Sequence, residues 1–492
     1  MKKIFLILTI IFSIVSVRSA VSQFNADSLE KKISRVVQKY VDTNSAAVMV
    51  GVIRKEGTGI VYEHRYSFGH IRADTNSPRP DSLTIFQLGS VTKSFTATIL
   101  SMLIQQGGPL NLNELVEDHI PLNLVHAPVF VSGTGDTTKM LILDLATHYA
   151  ALPDDPITAV NDTTTYQMMY SYLNNHHLSR APGQCFLYSN LGVSFLGVVV
   201  TNTLGNIIDS LFIQKICRPL NMPDTRITLT PEQMTRRAQG YESGTIEGPF
   251  HKSSWPAFNA AGGLYSTIDD FTKYLQFQMG LSGLGMQSVL DSAQRIRRLA
   301  DSNCSNPSAS GRVGLVWQMN ILNEQIDSNF YFTWKDGGTS SFSSYICFAN
   351  DPSKDLKTGV VVLSNHLKPP CDKLGVQILR YLNLDTTTVG IINTSQLVPE
   401  SFSLYQNFPN PFNPSTKIKF DVAQFDQNEL PVPVRLIVYD VTGKEITRLV
   451  DEKLNAGSYE VEFNGEGLPS GVYFYNLSGG NFTASRKMFL IK

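Results

Sequence analysis

The sequence is poor in charged residues and carries no excess of either sign. Lysine and arginine number 41 and aspartate and glutamate 42, so the formal net charge of the 492 residues is −1. Such a balance offers no strong electrostatic attraction to nucleic acid or to an anionic membrane surface. We therefore expect no nucleic-acid partner, and the 42% of hydrophobic residues is typical of a globular protein.

Cysteines are few, and neither they nor the histidines show the spacing of a metal site. No C-x-x-C pair and no H-x-x-x-H pair occurs, so we expect no metal and no cofactor. An odd number of cysteines means that at least one stays free or pairs between chains, and the pairing of the others stays open. The five are Cys185, Cys217, Cys304, Cys347 and Cys371.

Long apolar runs are rare, and the one at the N-terminus is typical of a signal peptide. Lys2 and Lys3 precede an apolar run from Ile4 to Val17, and Ala20-Val21-Ser22 offers the small residues that a signal peptidase reads. The run is short for a membrane anchor. We predict that residues 1–22 are removed on export across the inner membrane and that the chain has no transmembrane anchor.

Strand-like segments flank a helix-rich middle. Ala46 to Ile53 and Ile60 to Phe68 are β-rich and separated by a glycine turn, and β-rich runs return at Ser344 to Phe348 and Gly359 to Ser364. The region between, from about residue 90 to residue 290, has helical periodicity. This order predicts a mixed α/β domain over residues 23–385, with an antiparallel sheet built from both of its ends.

The composition changes towards the C-terminus. Residues 386–400 are rich in threonine and polar residues and are typical of a linker. After the turn-rich Asn407 to Pro414, short alternating strands recur between glycine and asparagine turns. Residues 401–492 are therefore predicted to form a small, immunoglobulin-like β-sandwich.

Ser90 and Lys93 form the first candidate catalytic pair. They stand at the start of a predicted helix and one turn apart, so their side chains share one face. A serine hydroxyl needs a nearby base to become a nucleophile, and a buried lysine can serve as one. The S-x-x-K pattern alone is weak evidence, because Ser28 and Lys31 match it too.

Tyr188-Ser189-Asn190 is the second candidate, at a boundary between loop and helix. A tyrosine close to a lysine can act as a base or as a proton relay, and an asparagine can bind a substrate amide. Y-x-N occurs four times in the chain, so a single match is usually structural.

Lys335-Asp336-Gly337-Gly338-Thr339 is the third, between an aromatic run and a predicted strand. A strand edge with lysine and glycines can offer a positive charge and a backbone N–H to an oxyanion. Lys357-Thr358-Gly359 competes with it, but follows a polar turn, so we interpret it as a hairpin exit whose lysine lies in solvent.

The three motifs, in the order S-x-x-K, Y-x-N and a variant of K-T-G, resemble those of the serine β-lactamase and penicillin-binding superfamily, nearest to class C. Leu145 to His148 and Asn259 to Thr267 are similar to further family segments, and the likeness covers about Ser28 to Leu384. The resemblance implies a β-lactamase-like fold and a small-molecule or peptidoglycan-peptide substrate.

The resemblance also implies roles for individual residues. Ser90 would be acylated, while Lys93 and Tyr188 would share proton transfer, with the true base left open. Lys335 would support the tyrosine or a substrate carboxylate. The backbone N–H groups of Ser90 and Gly338 would form the oxyanion hole. The implied substrate-binding residues are Asn190, Gly337, Gly338 and Thr339.

Asp336 departs from the family pattern, which commonly has threonine there. An aspartate at this position weakens recognition of a substrate carboxylate unless its side chain points away. The predicted function is hydrolysis of a β-lactam or a D-alanyl peptide through an acyl-enzyme, with an esterase using the same residues as the alternative. A non-catalytic receptor is the third possibility, and the filled catalytic positions argue against it.

The C-terminal domain resembles the type IX secretion sorting domain. The similar segments are Asn407 to Thr416, Tyr439 to Gly443, Pro469 to Tyr475 and Arg486 to Lys492. This resemblance implies the type IX secretion machinery as a partner and a location at the cell surface or outside the cell. An adhesive or carbohydrate-binding β-sandwich is the alternative, and the sequence leaves open whether the domain is cleaved.

Overall fold

The computed structural model describes most of the chain, in ranges separated by gaps. The described residues are 26–44, 47–57, 59–72, 77–105, 107–154, 165–242, 245–246, 256–299, 311–321, 331–367, 370–383, 392–395, 399, 401–423 and 432–491. Internal contacts divide them into two compact units, a larger one of Glu30–Asn383 and a smaller one containing Leu384–Lys492. The predicted signal peptide lies outside the described residues.

The described part of the chain forms eleven helices, which begin and end at the following residues: α1 Ala26–Asn44, α2 Thr92–Gln105, α3 Ile142–Ala146, α4 Tyr166–Asn175, α5 Asn190–Leu204, α6 Ile208–Phe212, α7 Pro231–Thr235, α8 Asn259–Gly262, α9 Ile268–Gln278, α10 Gln287–Gln294 and α11 Asp372–Asn383. Short 3₁₀ segments cover Gly89–Val91, Val116–His119 and Pro256–Phe258, and a π-helical turn covers Ile213–Cys217.

Fourteen strands are described in the larger unit: β1 Val48–Glu56, β2 Gly59–Phe68, β3 Ile85–Gln87, β4 Phe130–Val131, β5 Thr137–Thr138, β6 Tyr241–Glu242, β7 Thr245–Ile246, β8 Tyr265–Thr267, β9 Arg298–Leu299, β10 Arg312–Val313, β11 Gln318–Ile321, β12 Tyr331–Gly338, β13 Ser343–Asp351 and β14 Leu356–Ser364. Eight of them make one antiparallel sheet, in the order β2-β1-β14-β13-β12-β11-β10-β9. The first strand thus pairs with the last strand of the unit, with Val48 of β1 opposite Ser364 of β14, and the predicted α/β class with a sheet built from both ends is confirmed.

The central strands are buried along most of their length because helices cover both faces of the sheet. Helix α11 packs on β13 and β14, and α9 packs on β1 and β14. Gly375 lets α11 approach closely, since a Cβ there would come within 2.4 Å of the Tyr345 ring. Gly51 does the same for α9, where a Cβ would lie 2.4 Å from Thr272 Oγ1.

The smaller unit consists of strands β15 Ile392–Ser395, β16 Ser403–Leu404, β17 Ser415–Val422, β18 Val432–Tyr439, β19 Glu445–Leu454, β20 Gly457–Asn464, β21 Gly471–Gly479 and β22 Phe482–Leu490. They form two four-stranded sheets, β15-β20-β17-β16 and β19-β18-β21-β22. Alternate residues of these strands, such as Ile418, Phe420 and Leu436, are buried in a common core. The predicted β-sandwich is confirmed.

Four residues of the predicted linker belong to this sandwich. Ile392–Ser395 is strand β15, which pairs with β20. A single added strand at a sheet edge has too little hydrophobic pattern to be found from the sequence. Apart from these four residues and residue 399, the predicted linker lies outside the described residues.

Among the described helices, none has by itself the length and hydropathy of a membrane span; α5 taken together with α6 and the π-helical turn meets those criteria, but the pair is bent by 76°.

Candidate active site

Ser90 lies on the 3₁₀ turn that leads into α2, against the end of β12. Gly89 has φ +49°, and a Cβ there would come within 2.6 Å of the Gly338 carbonyl oxygen, so only glycine suits this position. The Leu88 N–H donates to the Leu264 carbonyl oxygen over 2.9 Å. Ser344 Oγ donates to the Leu88 carbonyl oxygen over 2.7 Å. The turn that carries the serine is therefore fixed at Leu88 by one backbone and one side-chain hydrogen bond.

Lys93 is fully buried one turn into the helical segment, and three oxygens surround its ammonium group. Its Nζ donates to Ser90 Oγ over 2.9 Å, to Asn190 Oδ1 over 2.5 Å and to the Ala261 carbonyl oxygen over 2.8 Å. A buried charge is tolerated when it is hydrogen-bonded in this way. Three segments far apart in the chain thus meet at one nitrogen.

Tyr188 is the second hydrogen-bond donor to Ser90. Its hydroxyl donates to Ser90 Oγ over 2.8 Å. The Nζ atoms of Lys93 and Lys335 lie 5.1 and 5.4 Å from the centre of its ring. Burial raises the pKa of the Tyr188 phenol, and the charge of Lys335 offsets this only in part. The resting tyrosine is a neutral donor at pH 7.

The start of α5 fixes both Tyr188 and Asn190. Ser189 caps this helix, its hydroxyl accepting from the Gly192 N–H over 2.8 Å. Asn190 is the first helical residue, and its N–H donates to Asp154 Oδ1 over 2.9 Å. A Ser cap is a strong local signal for a helix start, which is why the second motif falls at a well-defined boundary.

Lys335 is buried on β12 and is bound by its own neighbour. Its Nζ contacts Asp336 Oδ1 at 2.6 Å and the Asp336 carbonyl oxygen at 2.8 Å. Burial alone lowers the pKa of Lys335, but Asp336 and Tyr188 outweigh it, so the pKa lies above its usual value. Burial raises the pKa of Asp336, and Lys335 more than reverses this effect. Both partners are charged at pH 7. The Asp336 side chain is 55% exposed, so its charge also meets solvent.

His148 is a site residue to which sequence reasoning assigned no role. Its ring centre lies 4.6 Å from that of Tyr188, at an angle of 32°. Nδ1 accepts from the Ser189 N–H over 3.2 Å, and the buried Nε2 has no partner among the described residues. Burial, with the charges of Lys93 and Lys335, lowers the pKa of His148 well below its usual value, so the ring is neutral. The segment Leu145 to His148 had pointed to this loop but not to its contact with Tyr188.

The remaining predicted binding residues lie at the end of β12. Gly337 must be glycine, because a Cβ there would lie 2.0 Å from the Leu88 carbonyl oxygen. Gly338 is exposed and is the last residue of the strand. Thr339 is buried in the following turn, where its Oγ1 accepts from the Phe342 N–H over 3.0 Å. The structure thus brings together five of the predicted residues: Ser90, Lys93, Tyr188, Asn190 and Lys335. The Thr339 hydroxyl instead accepts hydrogen bonds from backbone N–H groups of its own turn.

The duplicate motifs lie elsewhere. Ser28 and Lys31 are both in α1. Lys357 opens β14, as expected from a hairpin exit. The prediction that its ammonium lies in solvent is wrong, because Lys357 is partly buried and its Nζ donates to the Met279 carbonyl oxygen over 2.9 Å. The end of α9 passes beneath the strand there, a long-range contact that the local sequence does not reveal.

Four of the five cysteines lie in the described part of the chain. Cys185 is disulfide-bonded, while Cys217, Cys347 and Cys371 are free and buried. Within the ranges that the structure describes, no group of three or more histidine, cysteine, aspartate or glutamate side chains could hold a metal ion.

Two protein families match the chain in separate regions. Residues 33–380 match the family described as Beta-lactamase. Residues 406–492 match the family described as Secretion system C-terminal sorting domain.

Characterised relatives resemble the first region. A D-alanyl-D-alanine-carboxypeptidase/endopeptidase of Escherichia coli is 28% identical over 349 residues, which cover 68% of this chain and 85% of the relative. A β-lactamase of Pseudomonas fluorescens is 24% identical over 337 residues, which cover 63% of this chain and 87% of the relative.

Solved structures share the fold. A β-lactamase/D-alanine carboxypeptidase from Yersinia pestis, complexed with citrate, has a TM-score of 0.57 at 22% identity, covering 72% of this chain and 98% of that one. A β-lactamase/D-alanine carboxypeptidase from Pseudomonas syringae has a TM-score of 0.56 at 20% identity, with the same coverage. The predicted fold is the one that these proteins adopt.

Proposed function

The chain belongs to the Beta-lactamase family, and from this membership we propose that it is an exported serine hydrolase that acts through an acyl-enzyme on Ser90. One observation carries the proposal: Ser90 Oγ lies 2.9 Å from Lys93 Nζ and 2.8 Å from the Tyr188 hydroxyl. A serine flanked by two groups able to exchange a proton is arranged for nucleophilic catalysis.

Proton transfer from Ser90 accompanies bond formation. Lys93 and Tyr188 both donate to Ser90 Oγ in the resting site, so one of them first releases a proton. That group then accepts the proton of Ser90 while Oγ attacks the substrate carbonyl carbon. The leaving group departs with a proton from the same pair, and the acyl group stays on Oγ. Water then attacks the ester and gives a proton to the pair, and the pair returns a proton to Ser90 Oγ as the bond to the acyl group breaks and the acid is released.

The oxyanion of the tetrahedral intermediate is stabilised, in this proposal, by the backbone N–H groups of Ser90 and Gly338. The close approach of the two segments supports this assignment, since a Cβ on Gly89 would lie 2.9 Å from the Gly338 nitrogen. Two such donors are the usual device of acyl transfer, and each contributes roughly a hundredfold or more to the rate. Asn190 and Gly337 complete the proposed binding surface.

The substrate class follows from the relatives and from one residue. The relatives' names point to β-lactams and D-alanyl peptides. Ester hydrolysis is the second candidate. Asp336 Oδ1 lies 2.6 Å from Lys335 Nζ and takes the place where a substrate carboxylate would otherwise bind. Both candidates use the same acyl-serine chemistry.

Export and sorting complete the proposal. The sorting-domain match over residues 406–492 supports delivery by the type IX secretion machinery to the cell surface or the medium. We assign residues 1–22 as signal peptide, 23–385 as the hydrolase domain, 386–400 as a connecting segment and 401–492 as the sorting domain.

The experiment is intact-protein mass spectrometry of the mature enzyme after mixing with a penicillin and, separately, with p-nitrophenyl acetate. Ser90→Ala is the matched control. We expect an adduct of the acyl mass with at least one reagent on the wild type and with neither on Ser90→Ala. An equal adduct on both proteins, or none on either, would contradict the acyl-serine mechanism.

A further inference from the structure

Both lysines beside Ser90 already have oxygen partners. Lys93 donates to Ser90, Asn190 and the Ala261 carbonyl oxygen. Lys335 donates to the carboxylate and the carbonyl oxygen of Asp336. A substrate carboxylate arriving at Lys93 must therefore displace an existing hydrogen bond, and one arriving at Lys335 meets the Asp336 carboxylate, which is already bound there.

The Asp336 carboxylate is more difficult to displace than a bound water. It is attached to the residue next to Lys335, so it needs no association step and acts as a ligand at high effective concentration. The pair combines one side chain that is 1% exposed with one that is 55% exposed. The lysine charge is thus buried behind the aspartate, and the aspartate is the charge that meets solvent.

The two effects act in the same direction on an anionic substrate. The positive charge of Lys335 is compensated, and a substrate carboxylate would come next to a second carboxylate, which is unfavourable at short range. A neutral substrate meets neither cost. An ammonium group on the substrate would gain from the exposed side of Asp336.

We propose that Asp336 is a specificity-determining residue, which makes the site select acyl substrates without a carboxylate on the leaving-group side of the scissile bond. This inference rests on the proposed function and names its substrate class. The favoured substrates are neutral or cationic esters and amides, with anionic ones last.

The test uses three phenyl acetates of similar size, whose phenol carries a carboxylate, a carboxamide or an aminomethyl group. kcat/KM is measured for each with the wild type, Asp336→Asn and Asp336→Thr. Each ester is compared between variants, so its intrinsic reactivity cancels. We expect both variants to raise kcat/KM for the anionic ester about tenfold relative to the neutral one, the effect of one charge-assisted contact. Both should lower it for the cationic ester.

Asp355→Asn is the matched control. Asp355 makes another lysine–aspartate pair, with Lys55 of β1 at 2.5 Å. It lies in the turn between β13 and β14, at the end of β13 away from Gly338. Asp355→Asn should leave kcat/KM for each of the three esters at the wild-type value. Thermal unfolding of each variant confirms that kcat/KM is measured on folded protein.

Two results would overturn the inference. If both Asp336 variants change the three esters by the same factor, Asp336 does not sense substrate charge, and if the anionic ester loses rate in them, the inference has the wrong sign. If Ser90→Ala still abolishes turnover, either of these results leaves the proposed function intact. Turnover that survives Ser90→Ala unchanged would overturn both.

Discussion

Two lysine–glycine segments occur in the same sheet, and only one of them reaches Ser90. Lys335 lies opposite Ile346 and Lys357 opposite Asn350, so they are separated along β13 by four residues, roughly 13 Å at the usual rise. Lys335 is buried beside Tyr188, whereas Lys357 donates to the carbonyl oxygen of Met279. The segment that spells K-T-G is the one outside the site, so position in the sheet, and not the letters of the motif, decides which segment lies near Ser90.

Among variants of these two segments, Lys335→Ala is expected to have the largest effect. Removing the charge beside Tyr188 and next to the proposed oxyanion hole should lower kcat by roughly a hundredfold. The measurement is steady-state hydrolysis of whichever reagent acylates the wild type. A loss smaller than that of Lys357→Ala would show that the two segments have been assigned the wrong way round.

Gly337 and Gly359 offer a second comparison, between a backbone contact and a side-chain contact. A Cβ at Gly337 would lie 2.0 Å from the Leu88 carbonyl oxygen, whereas one at Gly359 would lie 2.5 Å from Met279 Sδ. Gly337→Ala must shift the turn that carries Ser90, so we expect kcat/KM to fall roughly ten- to a hundredfold.

Gly359→Ala can be accommodated by the flexible Met279 side chain. It should lower the free energy of unfolding by about 1–3 kcal/mol, the cost of overpacking, while kcat/KM stays near the wild-type value. Urea unfolding followed by fluorescence, with activity measured on the same samples, separates the two results. Equal activity losses in both variants would contradict the comparison.

Asp336→Thr makes the functional segment resemble the one outside the site. It releases Lys335 and supplies a hydroxyl, so acylation by a penicillin should become about tenfold faster. The readout is the rate of adduct formation by intact mass. An unchanged or slower rate would count against a role for Asp336 in restricting β-lactam binding.

The smallest effect is expected from Lys357→Ala. The residue is distant from Ser90, so kcat and KM should both remain within about twofold of the wild type. Losing one hydrogen bond to the Met279 carbonyl oxygen should cost about 1 kcal/mol of stability. A large fall in kcat would identify Lys357 as the functional lysine of the third motif.

Much of the fold could be predicted because its signals are local. The glycine turn after Ile53 marked the hairpin that the structure shows as β1 and β2, and the Tyr188-Ser189-Asn190 segment was predicted at a boundary between loop and helix, where α5 begins. Alternating apolar residues likewise marked the strands of the C-terminal sandwich, where Ile418 and Phe420 are buried in the core. Patterns of this kind involve residues that are close together in the chain, so they can be recognised in the sequence.

The order of the three motifs, and Ser90, Tyr188 and Lys335 as candidates, could be read from the amino-acid sequence. Which atoms meet depends on the tertiary structure. Lys93 takes one partner 97 residues away and another 168 residues away, and His148 contacts Tyr188 across a loop. Such contacts depend on how the sheet and α2 pack against one another. The same packing buries Lys93, Tyr188 and His148, and burial shifts the pKa values of the phenol and the imidazole. No local pattern carries that information, because the groups that determine it are distant in the chain.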